Sequence, residues 1–443
     1  MLLYSVLAFM VTVAIVLDTV IRKADFFAPA RLYLFFHSTT IGIAFLGFHK
    51  AMVPFKPFTT LVYLGSGFAF LLGALVPTLV AGRIRKSPPN LSGYNWRLHW
   101  TFSFLLFAFF LTGMLVAYQG SGAFPLLAKK KQAAIYAFNH VALYSNVAYN
   151  MGAVSAVMFF IAILRPQRIP PWLRPGVWMA FITLMIFFLA MNRSGALLTI
   201  FSGLTLINYG LRRLSIVHLF AFIALFMGLF IPFSYSRLDE PQKKILAKLD
   251  PMMVTGLLLK IPYVYISNNY WNLDYALNPE NYQTRHPTTY GFTTFSGILD
   301  LAYLPGGGML GTEIRESGGF EDMFHKHTVK IKGLNTVTYQ WGLYKDFGLA
   351  GVLIVPFFVG IFIGIFHRRM REEPDVFNIA VYSYFAFFIA FNWFTAMWEL
   401  LNFSYGCIFV ATACYLCRKL AAPPVTETGG RLALARPPGD SLT

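Results

Sequence analysis

Apolar runs of about twenty residues recur along this chain, and they constrain its fold more than any other feature. The first is the opening "MLLYSVLAFMVTVAIVLDTVIRK". A helix needs roughly 20 apolar residues to cross about 30 Å of hydrocarbon, and lipid leaves no other way to satisfy an open backbone than a helix or a closed barrel. Candidate spans fall at about 2–20, 31–49, 59–81, 98–118, 141–164, 173–191, 195–210, 215–233, 343–366, 376–395 and 400–417. The expected fold is therefore an all-α polytopic membrane protein of about 11 transmembrane helices. Composition agrees: 57% of the 443 residues are hydrophobic and 12% charged, against roughly half and a quarter in soluble domains. The start has no basic n-region or small-residue cleavage site, so it reads as a first transmembrane helix and not a removed signal.

Basic residues cluster in alternate short loops: "IRK" at 21–23, "GRIRK" at 82–86, "RPQR" at 165–168, "LRR" at 211–213, "HRRMR" at 367–371 and "CRK" at 417–419. The positive-inside tendency puts these six in the cytosol, the N-terminus outside and the C-terminus inside. Four parts follow: an N-terminal transmembrane bundle over 1–233, a large external loop over 234–342, C-terminal transmembrane helices over 343–418 and a disordered cytosolic tail over 419–443. A loop of that length usually carries function or its own subdomain. Within it "DPMMVTGLLLKIPYVYISNN" is expected to be a helix lying on the membrane surface or dipping into it. The formal charge of +17 suits anionic lipid and basic cytosolic loops and not nucleic acid, because no soluble basic domain is present to grip a duplex. The three cysteines form neither a disulfide framework nor a metal set.

Polar residues gather outside. Arg193, in "FFLAMNRSGALL", stands at the outer tip of a hairpin, where it suits either a diphosphate clamp or interfacial anchoring. The stretch "SNNYWNLDYALNPENYQTRHPTTYGFTTFSG" at 267–297 interleaves aromatic and hydrogen-bonding residues, among them Asn269, Trp271, Asp274 and Tyr290. That mixture suits sugar faces and hydroxyls, and equally a cap in the headgroup belt. Arg285 could hold phosphate, while His286 could move a proton or be an ordinary surface histidine. In the "HKH" stretch, His325 and His327 lie near Asp322, but no spacing matches a specific metal site. Asp346 follows the polar "NTVTYQWGLYKD" at the mouth of a long apolar run, where a helix dipole would favour a carboxylate. Asn335 and Thr338 could brace the approach to that helix, and Gly348 and Gly351 are expected to allow close helix contacts below it.

Asn335, Thr338, Tyr344, Asp346, Phe347, Gly348 and Gly351 together form a pattern that resembles the signature of bacterial oligosaccharide repeat-unit polymerases, the Wzy-type O-antigen polymerases. Pro29 in "FFAPARLYLFF", Arg193 and Ser194 in "NRSG", and "YISNNYWNLDYAL" followed by "GFTTFSG" extend the likeness over roughly 1–418. The resemblance implies a GT-C-like glycosyltransferase fold with a large periplasmic loop, in the bacterial inner membrane, with its active site facing the periplasm. It implies undecaprenyl-diphosphate-linked oligosaccharides as substrates, membrane lipids as surroundings, and room for a chain-length regulator or export protein as a partner. The expected enzyme is inverting and uses no cofactor and no metal. Arg193 and then Arg285 would hold the diphosphate, and Asp346, His286 and His325 are candidates for the base. Asp346 could instead orient an arginine. Asn269, Trp271, Asp274, Tyr290, Asn335, Thr338 and Tyr344 would line the glycan site. The competing expectations are an O-antigen-ligase-like transferase and a lipid-linked oligosaccharide transporter, the latter requiring polar residues at mid-depth in several helices.

Overall fold

Prolines and short polar residues set where the helices of this computed structural model begin. It describes residues 2–48, 54–128, 134, 143–228, 257–278, 291–295, 336–399 and 401–421, apart from 83, 85, 86, 92, 167, 168, 191, 192, 219, 222, 225–227 and 292. The helices are α1 (Leu2–Ile21), α2 (Pro29–Ala44), α3 (Pro57–Ala81), α4 (Trp96–Ser121), α5 (Leu143–Ile161), α6 (Pro175–Leu189), α7 (Arg193–Gly210), α8 (Leu257–Ala276), α9 (Gln340–Glu372), α10 (Val376–Phe391) and α11 (Leu401–Lys419). Pro29, Pro57 and Pro175 open three of them, where a missing N–H costs nothing and φ is already helical. Asn95 and Asp375 cap α4 and α10 by accepting the N–H of Leu98 and Asn378.

The chain is all-α among the described residues apart from an isolated bridge between Asn90 and Asp375. Four of its helices, α1, α3, α4 and α9, are long and apolar enough to cross a membrane by length and composition. That is fewer than the eleven spans expected. The difference is one of length and polarity: α2, α6 and α10 have 16, 15 and 16 residues, which at 1.5 Å per residue fall short of the roughly 30 Å hydrocarbon thickness. In α5, α7 and α11, Ser, Thr, Asn and Tyr interrupt the apolar sequence. Most of 215–233, of 234–342 and of the tail lies outside the described residues.

The helix expected to lie on the membrane surface or dip into it overlaps α8 (Leu257–Ala276), which packs against its neighbours. Tyr263, Tyr270, Trp271 and Leu273 are buried, and Tyr270 donates its hydroxyl toward Thr40 of α2 at 2.7 Å. α3 and α9 run against each other with their backbones nearly touching. A Cβ on Gly73 would lie 2.0 Å from the Phe357 carbonyl oxygen, and one on Gly360 would lie 2.3 Å from that of Phe70. Gly364 follows Gly360 by one turn and faces the Ala74 carbonyl, a small-residue seam of the kind that joins helices in lipid. The close contacts expected at Gly348 therefore lie further along. A Cβ on Gly348 would meet nothing within 4 Å, and its φ of 61° with ψ of −152° breaks α9 there.

Segments that the sequence marks as basic meet at one end of the bundle. Arg213 donates to the carbonyls of Lys23 and Ala24. Arg368 caps the end of α3 by donating to the carbonyls of Pro77, Ala81 and Gly82. Arg418 pairs with Asp375 at 2.9 Å, and the Asn95 N–H reaches the Cys417 carbonyl. At this end Asp25 accepts from Tyr209 at 2.9 Å and from His367 at 3.3 Å, with Arg371 at 3.8 Å.

Candidate functional site at the start of the longest helix

The polar stretch that precedes the long apolar run forms a short helix of its own. Gln340 to Phe347 are helical, and Gly348, in a conformation open only to glycine, turns the chain into the apolar part of α9. Asp346 is fully buried. Its two oxygens accept the backbone N–H groups of Thr293, at 3.2 Å, and Thr294, at 2.5 Å. The carboxylate thus fastens the turn that carries Thr293 and Thr294, near Gly291 with φ of 96°, onto the first turns of α9. A buried carboxylate requires such donors, because an unpaired charge there would be far costlier than any hydrogen bond returns.

Below this junction, hydroxyls from four elements interlock. The Tyr339 hydroxyl lies 3.1 Å from that of Tyr33 and 3.0 Å from Ser66 Oγ, and Gln340 Nε2 donates to Ser66 Oγ at 3.0 Å. Tyr63 stands 3.2 Å from His37 Nδ1 and 3.5 Å from Tyr270. Thr40 Oγ1 donates its own proton to the Phe36 carbonyl at 2.7 Å, so Tyr270 is the donor in its contact with Thr40. The His37 ring is stacked on Tyr33 with centroids 3.9 Å apart.

Among the described residues, several buried polar atoms beside these groups have no hydrogen-bond partner: His37 Nε2, Ser267 Oγ, the Asn268 and Asn269 Oδ1 atoms, Thr338 Oγ1 and Gln340 Oε1. Each such group costs about 1–3 kcal/mol, and their concentration at the meeting of α2, α3, α8 and α9 marks a place built for polar contact.

The structure joins some of the residues singled out from sequence and separates others. Asn268 Nδ2 and Asn272 Nδ2 donate to Thr336 at 3.3 and 2.9 Å, tying α8 to the approach to α9. This brings Asn269, Thr338 and Asp346 into one region, all three buried. Asn269 Nδ2 itself donates back to the Tyr265 carbonyl at 2.7 Å, leaving its oxygen for another donor. Tyr344 is half-buried between Trp341 and Phe58. Trp271 packs near Tyr263. Asp274 accepts the Lys56 backbone N–H at 3.0 Å, so it ties α8 to the start of α3. Arg193 opens α7, but its side chain lies outside the described residues, as do Arg285, His286, Tyr290, His325 and Asn335. Among the described residues no three His, Cys, Asp or Glu side chains come together as a metal site.

Sequence reasoning passed over His37, Tyr63 and Ser66, and gave no part to Tyr33, Tyr270, Tyr339 and Gln340 although it picked out the stretches that carry them. The available signal was His37, an ionisable residue in the middle of an apolar helix, where burial costs enough to imply a purpose. Comparison with known proteins gave no matching family model, no matching curated protein and no matching solved structure.

Proposed function

We propose that this membrane-associated helical protein polymerises lipid-linked oligosaccharide repeat units on the outer face of the bacterial inner membrane. The observation that carries this reading is the Asp346 contact with Thr293 and Thr294. It unites two stretches, "YKDFG" and "GFTTFSG", that resemble the polymerases separately and stand some fifty residues apart in the chain. The convergence of the basic segments at the opposite end supports taking the Asp346 end as periplasmic, within a GT-C-like fold whose further spans include the shorter helices.

In the proposed reaction the acceptor's hydroxyl oxygen attacks the anomeric carbon of the growing glycan. The bond from that carbon to the diphosphate oxygen breaks, and undecaprenyl diphosphate leaves with the bonding electrons. Arg193 and Arg285 hold the diphosphate and balance its charge as it departs. Asp346 accepts the Thr293 and Thr294 N–H groups and so holds their turn in place, and the acceptor's proton passes to Asp346, His286 or His325, the candidate bases in that order. Asn269, Thr338 and Tyr344 contact glycan from the α8–α9 junction, with Trp271, Asp274, Tyr290 and Asn335 completing the glycan side.

Membranes carrying the protein, given a radiolabelled lipid-linked repeat unit, should build a ladder of polymer, and Arg193→Ala should abolish it at equal protein level. Normal chain length in Arg193→Ala would remove the clamp, and no ladder from the unaltered protein would remove the polymerase reading. A lipid-linked oligosaccharide transporter is the second reading. It is favoured by the polar groups of His37 midway along α2, of Tyr33 one turn earlier and of Ser66 within α3, and it predicts movement of the labelled unit across the membrane without elongation.

A further inference from the structure

α1 is held to α2 along one side by polar contacts: Ser5 Oγ donates to the Gly42 carbonyl at 2.7 Å, and Thr12 Oγ1 lies 2.8 Å from Ser38 Oγ. Phe9 packs against Gly42 between them, with ring atoms 3.1 Å from where a Cβ would stand. This seam turns Leu7, Ala8 and Val11 toward α3, and a groove of about 570 Å³ lies between α1, α2 and α3. Its size falls within the roughly 300–1,000 Å³ of sites that hold small organic ligands.

The walls are apolar, with Leu7 and Val11 on one side, Leu64 and Phe68 on the other. Leu7, Leu64 and Phe68 are 50%, 61% and 64% exposed, so the groove opens sideways onto the outer surface of two helices long enough to cross a membrane. In that setting the medium at its mouth is hydrocarbon. Its floor is different in character: Tyr33, His37 and Tyr63 line it, and the same three belong to the hydroxyl cluster that reaches Tyr339 at the candidate site. His37 is 4% exposed, and its Nε2 has no partner among the described residues. The Tyr63 hydroxyl and His37 Nδ1 hydrogen-bond at 3.2 Å, so the other ring nitrogen is the one left for a further polar contact.

We propose that this groove seats the isoprenoid chain of a lipid-linked saccharide, with the chain's oxygen-bearing end at the Tyr33–His37–Tyr63 floor and its glycan toward the Asp346 junction. The proposal rests on the polymerase reading for the identity of the lipid. Apolar walls supply the affinity for the chain. The continuity of the floor with the α8–α9 junction distinguishes the groove from an ordinary lipid-facing crevice.

The test uses the purified full-length protein and a photoreactive polyprenyl phosphate, with labelled residues mapped by mass spectrometry. Labelling should fall on α1, α2 and α3 residues of the groove and be competed by undecaprenyl phosphate but not by phosphatidylethanolamine. Ala8→Trp and Val11→Trp, which fill the groove from the lightly packed α1 side, should each lower labelling about tenfold, the scale of a few methylenes losing apolar contact. Labelling elsewhere, equal competition by phosphatidylethanolamine, or undiminished labelling in both variants would overturn the proposal. Groove labelling by a protein that makes no polymer would sink the polymerase reading and leave the lipid seat standing. Polymer formation with labelling elsewhere would do the reverse.

Discussion

Two carboxylates show how differently one residue type is used at the two ends of this molecule. Asp346 grips backbone N–H groups of a distant turn, and charge-assisted bonds of this kind contribute about 1.5–3 kcal/mol each. Asp346→Ala should therefore release the 291–295 turn, read as faster backbone hydrogen exchange there, whereas unchanged exchange would show that other contacts hold it. Asp25 lies in the turn between α1 and α2. Its burial raises its proton affinity, but the His367 hydrogen bond and charge, with Arg371 and Tyr209, outweigh that and bring its pKa down from 3.8 to about 2. A depressed carboxylate pKa contributes stability that is present above the unfolded value and lost as pH falls through the folded one. Thermal unfolding in detergent should show the unaltered protein losing stability between about pH 4 and pH 2, by the separation of those two values. Asp25→Asn should be less stable at neutral pH and should lack that component of the acid loss; equal melting of the variant and the unaltered protein at neutral pH would show that the Asp25 contacts add no stability. Asp346 was legible as notable from its place at a helix mouth, but its partners were not, because they lie more than fifty residues away along the chain.

At the scale of elements, α3 and α9 illustrate what periodicity and hydropathy reveal and what they hide. The apolar run after Gly348 is plain in the sequence, and so is its basic end. Which glycine does which job is not. Gly360 and Gly73 allow two backbones to touch, so Gly360→Leu must push the helices apart and should cost about 1–3 kcal/mol by the usual scale of overpacking. Gly348 has open space around it and is needed for its positive φ, so Gly348→Ala should cost about 1–3 kcal/mol through backbone strain alone. Thermal unfolding distinguishes the two when Gly360→Ala is added: the small side chain should already be harmful at 360, where the nearest backbone oxygen would be 2.3 Å away. A melting temperature unchanged in Gly360→Ala would contradict the close seam. α8 was legible as a helix, but its burial was not, since its Tyr270 and Asn272 find partners on α2 and before α9 that no local pattern announces.

For the whole molecule, charge placement was the most readable property. Loops picked out only by their lysines and arginines converge through contacts such as Arg213 with Lys23 and Arg368 with Gly82, while the polar start of α9 gathers α2, α3 and α8 at its own end. The hydroxyl cluster linking these helices was the least readable, because Tyr33 and Tyr339 are 306 residues apart and each alone resembles an ordinary membrane aromatic. Single cysteines in place of Arg22 and Lys56, assayed with a membrane-impermeant thiol reagent in sealed membrane vesicles of known orientation, should label from opposite sides. Labelling from one side would contradict the assigned topology. The central claim, that this end of the bundle joins lipid-linked repeat units, is tested most directly by purified protein in liposomes supplied with those units and nothing else. A regularly spaced polymer ladder, with release of undecaprenyl diphosphate and no nucleotide sugar present, is the predicted result; recovery of only the unextended unit would contradict it.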